Sequence, residues 1–418
     1  MKAQRCRGTR DLSPEEMGRF RLIEGVFRDC CRRWGYEEVR TPTLEYLHLF
    51  TSTGTLTSGM LSKVYSFLDW DGWSGERVVL RPDGTIPIAR LYIDSMAEKE
   101  AKLFSVTNVF IFEATGKKMR ERWQCGTELI GVSSPTADVE LMILAGEVLR
   151  KLRFENIELR LSHVGLIKAL LQKFGLSGEQ QARIFDQILD GDREALARME
   201  PVNHELGESL SLLLNLKGKS SGFLRNLQAL WNDNLPELKA HIDDFVSIVE
   251  LLEALDCNYQ IDIASARGFE YYTGMIFQLF SGEERVGGGG RYDALIPLMG
   301  GGSVPASGFA LYLDRLMNLV KIEPPANHRR VLIRMESSER EAVKESFNAA
   351  SSLREAGYLA EIDLGRRELA DFRWLLDIGK EPLFVLTDQV KQRRFEFKTV
   401  SEVLNILGEK GADKDSLT

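Results

Sequence analysis

Arg267-Gly-Phe-Glu-Tyr271-Tyr272-Thr273-Gly274 and, one apolar segment later, Gly287-Gly-Gly-Gly-Arg291-Tyr292-Asp293 are the stretches on which the fold reading turns. The first follows the alternating run Tyr259-Gln-Ile-Asp-Ile-Ala264 and leads into Met275–Phe280, so it reads as strand, turn, strand. A cation, two phenols and a glycine gathered there suit a small zwitterion. Arginine clamps a carboxylate through paired hydrogen bonds, and tyrosine stacks on or bonds to a ring. The competing reading is an aromatic core patch with a surface arginine. The glycine run is either a close approach of backbone to a ligand or a flexible hairpin turn. It is not a phosphate loop, because no Gly-Lys-Ser/Thr follows, and it lacks dinucleotide-binding spacing.

Upstream, Ser13-Pro14-Glu15-Glu16 predicts a helix start with a capping box, and Phe20, Ile23, Phe27 and Cys30 recur at helical spacing until Gly35. Arg77–Arg81, Leu103–Glu113, Ile157–Ser162 and Tyr259–Ala264 read as strands, the last two with the alternation of half-buried antiparallel partners. Ala137–Leu152 is an amphipathic helix. Residues 164–255 are almost wholly helical in pattern, which implies a helical insertion between strands of one sheet. Ile322-Glu-Pro-Pro-Ala-Asn-His328 breaks the pattern and divides a domain over 1–325 from a small α/β domain over 329–418. Gly218-Lys-Ser220-Ser-Gly222 fits a nucleophile-elbow pattern, but the helical Leu212–Leu216 precedes it, so it reads as a loop between helices.

The bulk numbers exclude several classes. At 418 residues the chain exceeds a single core, and 44% apolar with 28% charged residues is globular composition. No run of eighteen apolar residues exists, so no membrane span is expected, and the polar N-terminus lacks a signal-peptide pattern. Five scattered cysteines without a Cys-x-x-Cys pair argue for a reducing cytoplasm and against a zinc site. The five histidines form no HExxH motif, so no metal and no cofactor is expected. A net charge of −8 argues against a chain-wide polyanion-binding surface.

Taken together, Arg7-Gly-Thr-Arg-Asp-Leu-Ser-Pro14, Gly35-Tyr36 through Glu45, Leu80-Arg-Pro-Asp-Gly-Thr85, the 103–128 segment, Arg267–Gly274, Gly287–Asp293 and Ala306–Arg315 resemble histidyl-tRNA synthetase over roughly residues 4–320. The resemblance implies an α+β fold: a class II synthetase-like antiparallel sheet flanked by helices, dimerising partly through the Pro42 segment. It also implies a histidine pocket. Asp83, Thr85 and Gln124 match positions that hold the amino group, Arg267 the position near the carboxylate, and Glu128, Tyr271 and Tyr272 those around the imidazole. Asp83 stands for the usual glutamate, one methylene shorter.

The nucleotide side departs from that pattern. The family's Phe-Arg-x-Glu-Arg-Pro reads here Phe110-Ile111-Phe112-Glu113-Ala114-Thr115, and Gly-Leu-Glu-Arg becomes Tyr312-Leu-Asp-Arg315. Ile111 and Ala114 remove two cations, and Tyr312 puts a phenol where a small residue leaves room for adenine; Lys118 and Arg120 remain. Losing one such phosphate contact costs about 3–4 kcal/mol of transition-state stabilisation. Over residues 329–418, 16 Lys and Arg stand against 17 Asp and Glu, so a basic tRNA-contacting domain is not expected, with Arg366-Arg367 and Arg393-Arg394 as its remaining candidates.

A synthetase frame with an intact amino-acid pocket and a damaged nucleotide site resembles the regulatory subunits of ATP phosphoribosyltransferase. That resemblance implies no catalytic residue in this chain, a short-form catalytic partner, and L-histidine as effector. A divergent histidine–tRNA ligase and a free-standing histidine- or RNA-binding paralogue are the competing readings.

Overall fold

The computed structural model describes residues 3–53, 64–69, 75–96, 99–111, 119–173, 180, 217–231, 235–263, 271–321, 329–337, 339–365, 372–380 and 383–411. The chain divides into two compact units, Met1–Lys321 and Ile322–Thr418.

The first unit opens with the helix Pro14–Arg33. The Ser13 hydroxyl accepts from the Glu16 N–H and the Glu16 carboxylate accepts from the Ser13 N–H (2.8 Å), so two orphan donors of the first turn are satisfied. Phe20, Ile23, Phe27 and Cys30 form its buried stripe, and Gly35 leaves the helix at φ 80°. The strands of this unit are β1 (Glu37–Glu38), β2 (Leu44–Tyr46), β3 (Ser66–Leu68), β4 (Arg77–Leu80), β5 (Ala101–Phe110) and β6 (Glu121–Ile130). They continue with β7 (Ile157–His163), β8 (Lys217–Gly218), β9 (Tyr259–Asp262), β10 (Met275–Ser281), β11 (Glu284–Arg291) and β12 (Ala306–Tyr312). Nine of them form one sheet in the order β1-β5-β6-β12-β11-β10-β7-β9-β8, and β2-β4-β3 form a second. Helices Pro14–Arg33, Pro135–Lys151 and Lys239–Ala254 contribute Phe27, Leu144 and Phe245, among others, to the core cluster that includes Phe104, Phe277 and Phe309 of the sheet.

Two expectations are revised. The Tyr259 segment is a strand, but β9 runs parallel to β7, with Leu159 opposite Tyr259, rather than antiparallel to it. Alternation reports which faces are buried, not direction, and the long intervening segment supplies the crossover that a parallel pair requires. Gly218–Gly222 is not simply a loop. Lys217–Gly218 pair with β9 at the sheet edge, and Ser221 opens the helix Ser221–Trp231, its N–H and hydroxyl donating to Glu253 (2.8 and 2.7 Å). Residues 212–216 lie outside the described residues.

The glycine run is a strand interior, not a turn. Gly287–Gly290 pair with β12 on one side and β10 on the other, and the hairpin turn lies at Gly282, φ 61°. A Cβ at Gly289 would sit 2.6 Å from Phe309 Cα, and one at Gly288 2.7 Å from the Phe277 carbonyl oxygen, so only glycine fits between these neighbours.

The second unit has strands β13 (Arg330–Met335), β14 (Leu359–Ile362), β15 (Trp374–Ile378), β16 (Phe384–Asp388) and β17 (Arg393–Phe397), ordered β14-β13-β15-β16-β17. The first three are mutually parallel and the last two antiparallel, with helices Arg340–Glu355 and Val400–Gly411 contributing to the core through Leu353 and Val403. Arg393 and Arg394 are exposed on β17; Arg366 and Arg367 lie outside the described residues.

Candidate functional site

A small cavity, partly open to solvent, lies where the β4–helix connection, β6, β11 and β12 meet the turn before β10. Asp83, Thr85, Gln124, Tyr271, Tyr272 and Tyr292 line it, together with Arg285, Phe309 and Tyr312. Five of the seven predicted pocket residues therefore share one cavity. Glu128 sits directly behind them, and Arg267 lies outside the described residues.

Asp83 precedes the helix Thr85–Ser95, and its Oδ1 accepts from the Thr85 and Ile86 N–H groups (2.8 and 2.9 Å). This satisfies first-turn donors that Gly84, lacking a side chain, leaves open. The Tyr271 hydroxyl reaches the other Asp83 oxygen at 3.4 Å. Gln124 lies across Gly84, close enough that any Cβ there would collide with its side-chain nitrogen. Burial raises the Asp83 carboxyl above its ordinary value, against the lowering effect of those backbone donors.

Glu128 is 3% exposed. Its Oε1 accepts from the Thr85 hydroxyl at 2.8 Å and its Oε2 is engaged by the Tyr292 hydroxyl. Gly308 makes this possible, since a Cβ there would run into the carboxylate and into the Thr127 carbonyl oxygen at 2.5 Å. Burial pushes the Glu128 carboxyl up to about 8, the Tyr292 and Thr85 hydrogen bonds lowering it and nearby Asp83 raising it. Three phenols wall this end: Tyr271–Tyr272 ring centroids are 5.1 Å apart, Tyr271–Tyr292 5.5 Å and Tyr272–Tyr292 6.4 Å.

The walls are braced from behind. Arg291 ion-pairs with Asp138 and, at 3.1 Å, with Asp244; its carbonyl accepts from the Thr273 N–H at 2.8 Å. Lys168 donates to the Tyr272 carbonyl at 2.9 Å. Burial pushes the Asp138 carboxyl up to about 7 despite its Arg291 partner.

Of the residues expected on a degenerate nucleotide side, Tyr312 reaches the cavity. The guanidinium carbons of Arg285 and Arg315 lie 5.6 and 5.1 Å from its ring centroid. Arg315 also donates to the Arg285 carbonyl (2.8 Å) and pairs with Glu284 (3.2 Å). Ile111 is half-buried, its N–H donating to the Arg120 carbonyl (2.9 Å), and it does not line the cavity. Arg120 donates to the Tyr65 hydroxyl at 3.1 Å, and its side chain lies against Gly8. Ala114 and Lys118 lie outside the described residues. No cluster of potential metal ligands occurs among the described residues.

Sequence reasoning did not single out Arg285. On β11, Arg285 has the alternation parity of Gly287 and Gly289, opposite to the cavity-lining Gly288. The register with β10 pairs Leu279 with Gly287 but Phe280 with Arg285, so Val286 is an extra residue, a β-bulge. The bulge turns Arg285 to the face of Gly288, where a Cβ would come 3.0 Å from its Nη2. Strand alternation alone carries no signal for this.

The main sheet, its flanking helices and this cavity define a class II synthetase-like domain of the histidyl-tRNA synthetase kind, and the family model described as histidyl-tRNA synthetase matches residues 8–316. An ATP phosphoribosyltransferase regulatory subunit from Dehalococcoides mccartyi is 51% identical over 412 residues, covering 98% of this chain and 99% of that relative. A histidine–tRNA ligase from Methanosarcina acetivorans is 34% identical over 404 residues, 93% of this chain and 92% of the ligase. In fold, a crystal structure from Bacillus halodurans, described as an ATP phosphoribosyltransferase regulatory subunit/histidyl-tRNA synthetase, superposes with a TM-score of 0.76 at 24% identity, covering 90% of this chain and 98% of that one. The chain belongs to the ATP phosphoribosyltransferase regulatory subunits within the histidyl-tRNA synthetase family.

Proposed function

We propose that the chain acts as the regulatory subunit of ATP phosphoribosyltransferase in the first step of histidine biosynthesis, with no catalysis of its own. Its partner is the short-form catalytic subunit, which carries the transfer of phosphoribose to ATP, and the complex works in the cytoplasm. Histidine is the effector. It occupies the cavity of Asp83, Thr85, Gln124, Tyr271 and Tyr272, with Glu128 behind them and Arg267 near the carboxylate. For feedback, histidine must bind two states of the assembly with different affinity, and the coupling is reciprocal.

The observation that carries the loss of synthetase activity is Tyr312, a phenol that lines the cavity and packs against the guanidinium groups of Arg285 and Arg315. In the synthetase pattern a small residue stands there. Self-association through the Pro42 segment belongs to the same proposal. Arg81 donates to the Thr41 and Pro42 carbonyls (3.0 and 2.9 Å), which fixes that segment, and Leu44, Tyr46 and Phe67 on the adjoining β2-β4-β3 sheet are exposed.

The ligase reading keeps a specific observation in its favour, the 34% identity to a histidine–tRNA ligase. Histidine-dependent ATP–pyrophosphate exchange separates the two: none is expected, and robust exchange overturns the proposal. Co-expression with a short-form catalytic subunit is expected to give one hetero-oligomer on sizing. Separate peaks would leave a free-standing paralogue as the better reading.

A further inference from the structure

Among the described residues, the cavity is lined by one acidic side chain, Asp83, and one cation, Arg285. Arg285 is not placed there by chance of a flexible side chain. The bulge at Val286 aims it, the bare backbone of Gly288 leaves room for its guanidinium, and the Tyr312 ring supports it. Arg315 also packs against that ring and donates to the Arg285 carbonyl at 2.8 Å. Arg285 is also close enough to Tyr272 to favour loss of its hydroxyl proton, although burial raises that phenol overall. The guanidinium thus belongs to the same enclosure as the amino-acid groups and is not an outward-facing charge.

We propose that Arg285 is a second cation for the carboxylate of the amino acid in this cavity, in addition to Arg267 and across from the ammonium held at Asp83, with Tyr312 serving as its platform. The inference rests on the reading that histidine occupies the cavity. A zwitterion needs an anion and a cation, and Asp83 on the β4–helix connection and Arg285 on β11 supply both to one cavity. Tyr312 then has two consequences: it fills space on the nucleotide side, and it preorganises a carboxylate ligand. The residue that excludes one ligand orders the other.

Calorimetry with histidine and histidinol tests this, because histidinol keeps the imidazole and the ammonium and lacks the carboxylate. In the wild-type chain histidine is expected to bind at least about tenfold more tightly than histidinol, the scale of one charge-assisted pair. Arg285→Ala is expected to erase most of that difference by weakening histidine alone. Arg285→Lys, which keeps the charge and loses the two-pronged geometry, should retain part of it. Histidine affinity unchanged in Arg285→Ala overturns the assignment. Equal losses for both ligands in both variants also overturn it, since they mark a structural role. A wild-type chain that gives no heat with histidine overturns this inference together with the reading beneath it, and so is told apart from a failure of Arg285 alone.

Discussion

Replacing Glu128 with glutamine tests how the buried carboxyl at the back of the cavity is held. The group is 3% exposed, and both of its oxygens face hydroxyls, Thr85 on one and Tyr292 on the other. Burial pushes its carboxyl from the ordinary 4.5 up to about 8. In the folded chain it therefore keeps a proton that the unfolded chain has already released. Stability contributed by that proton is fully present below about 4.5 and is lost as the pH rises toward about 8. Between those limits the folding equilibrium constant falls by up to about tenfold per pH unit, amounting to a few kcal/mol across the window. Glutamine has the shape of the protonated acid, with one acceptor and one donor end, and it does not titrate. Urea midpoints of both proteins at pH 5, 6, 7 and 8 give the difference between them, in which other titrating groups cancel. Wild type should be relatively most stable at pH 5 and lose ground steadily by pH 8. A difference that stays flat over this range refutes the reasoning, because it would mean that the carboxyl ionises as readily folded as unfolded.

Three further outcomes follow from the same geometry. Arg291→Ala leaves Asp138, 1% exposed, without its guanidinium partner and should cost about 3–5 kcal/mol in chemical denaturation, whereas a loss under 1 kcal/mol would show the pair to be dispensable. Gly308→Ala places a methyl against the Glu128 carboxylate and should destabilise by about 1–3 kcal/mol while weakening histidine binding in calorimetry; wild-type affinity would mean that the Glu128 contacts do not shape the cavity. Ser13→Ala removes half of a capping box on an exposed helix end and should cost about 1 kcal/mol in thermal melts with histidine affinity unchanged, a control for global against local effects.

Local chemistry was the legible part of this sequence. The capping box at Ser13 and Glu16 is written in adjacent residues, and the buried stripe of the helix that follows in the spacing of Phe20, Ile23, Phe27 and Cys30. The convergence of Asp83, Gln124 and Tyr271 came through resemblance to a family, since nothing in their spacing brings three distant segments together. Two features were not legible because they depend on neighbours. Gly287–Gly290 reads as a hairpin turn or as a close approach of backbone to a ligand, and only Phe309 and Phe277 pressing on both sides make it a strand interior. Arg285 reads as facing away until an unpaired Val286 rotates it inward. The direction of β9 belongs with these, since period-two patterning is the same for a strand running either way.

That parallel pairing carries a consequence of its own. The chain leaves β7 at His163 and enters β9 at Tyr259, opposite Leu159, so the connection travels back along the strands, touching the sheet edge once at Lys217–Gly218. Two helices on that return path carry Lys168 and Asp244, which hold the Tyr272 carbonyl and Arg291. A detour imposed by strand direction thus doubles as the buttress of the small-molecule chamber.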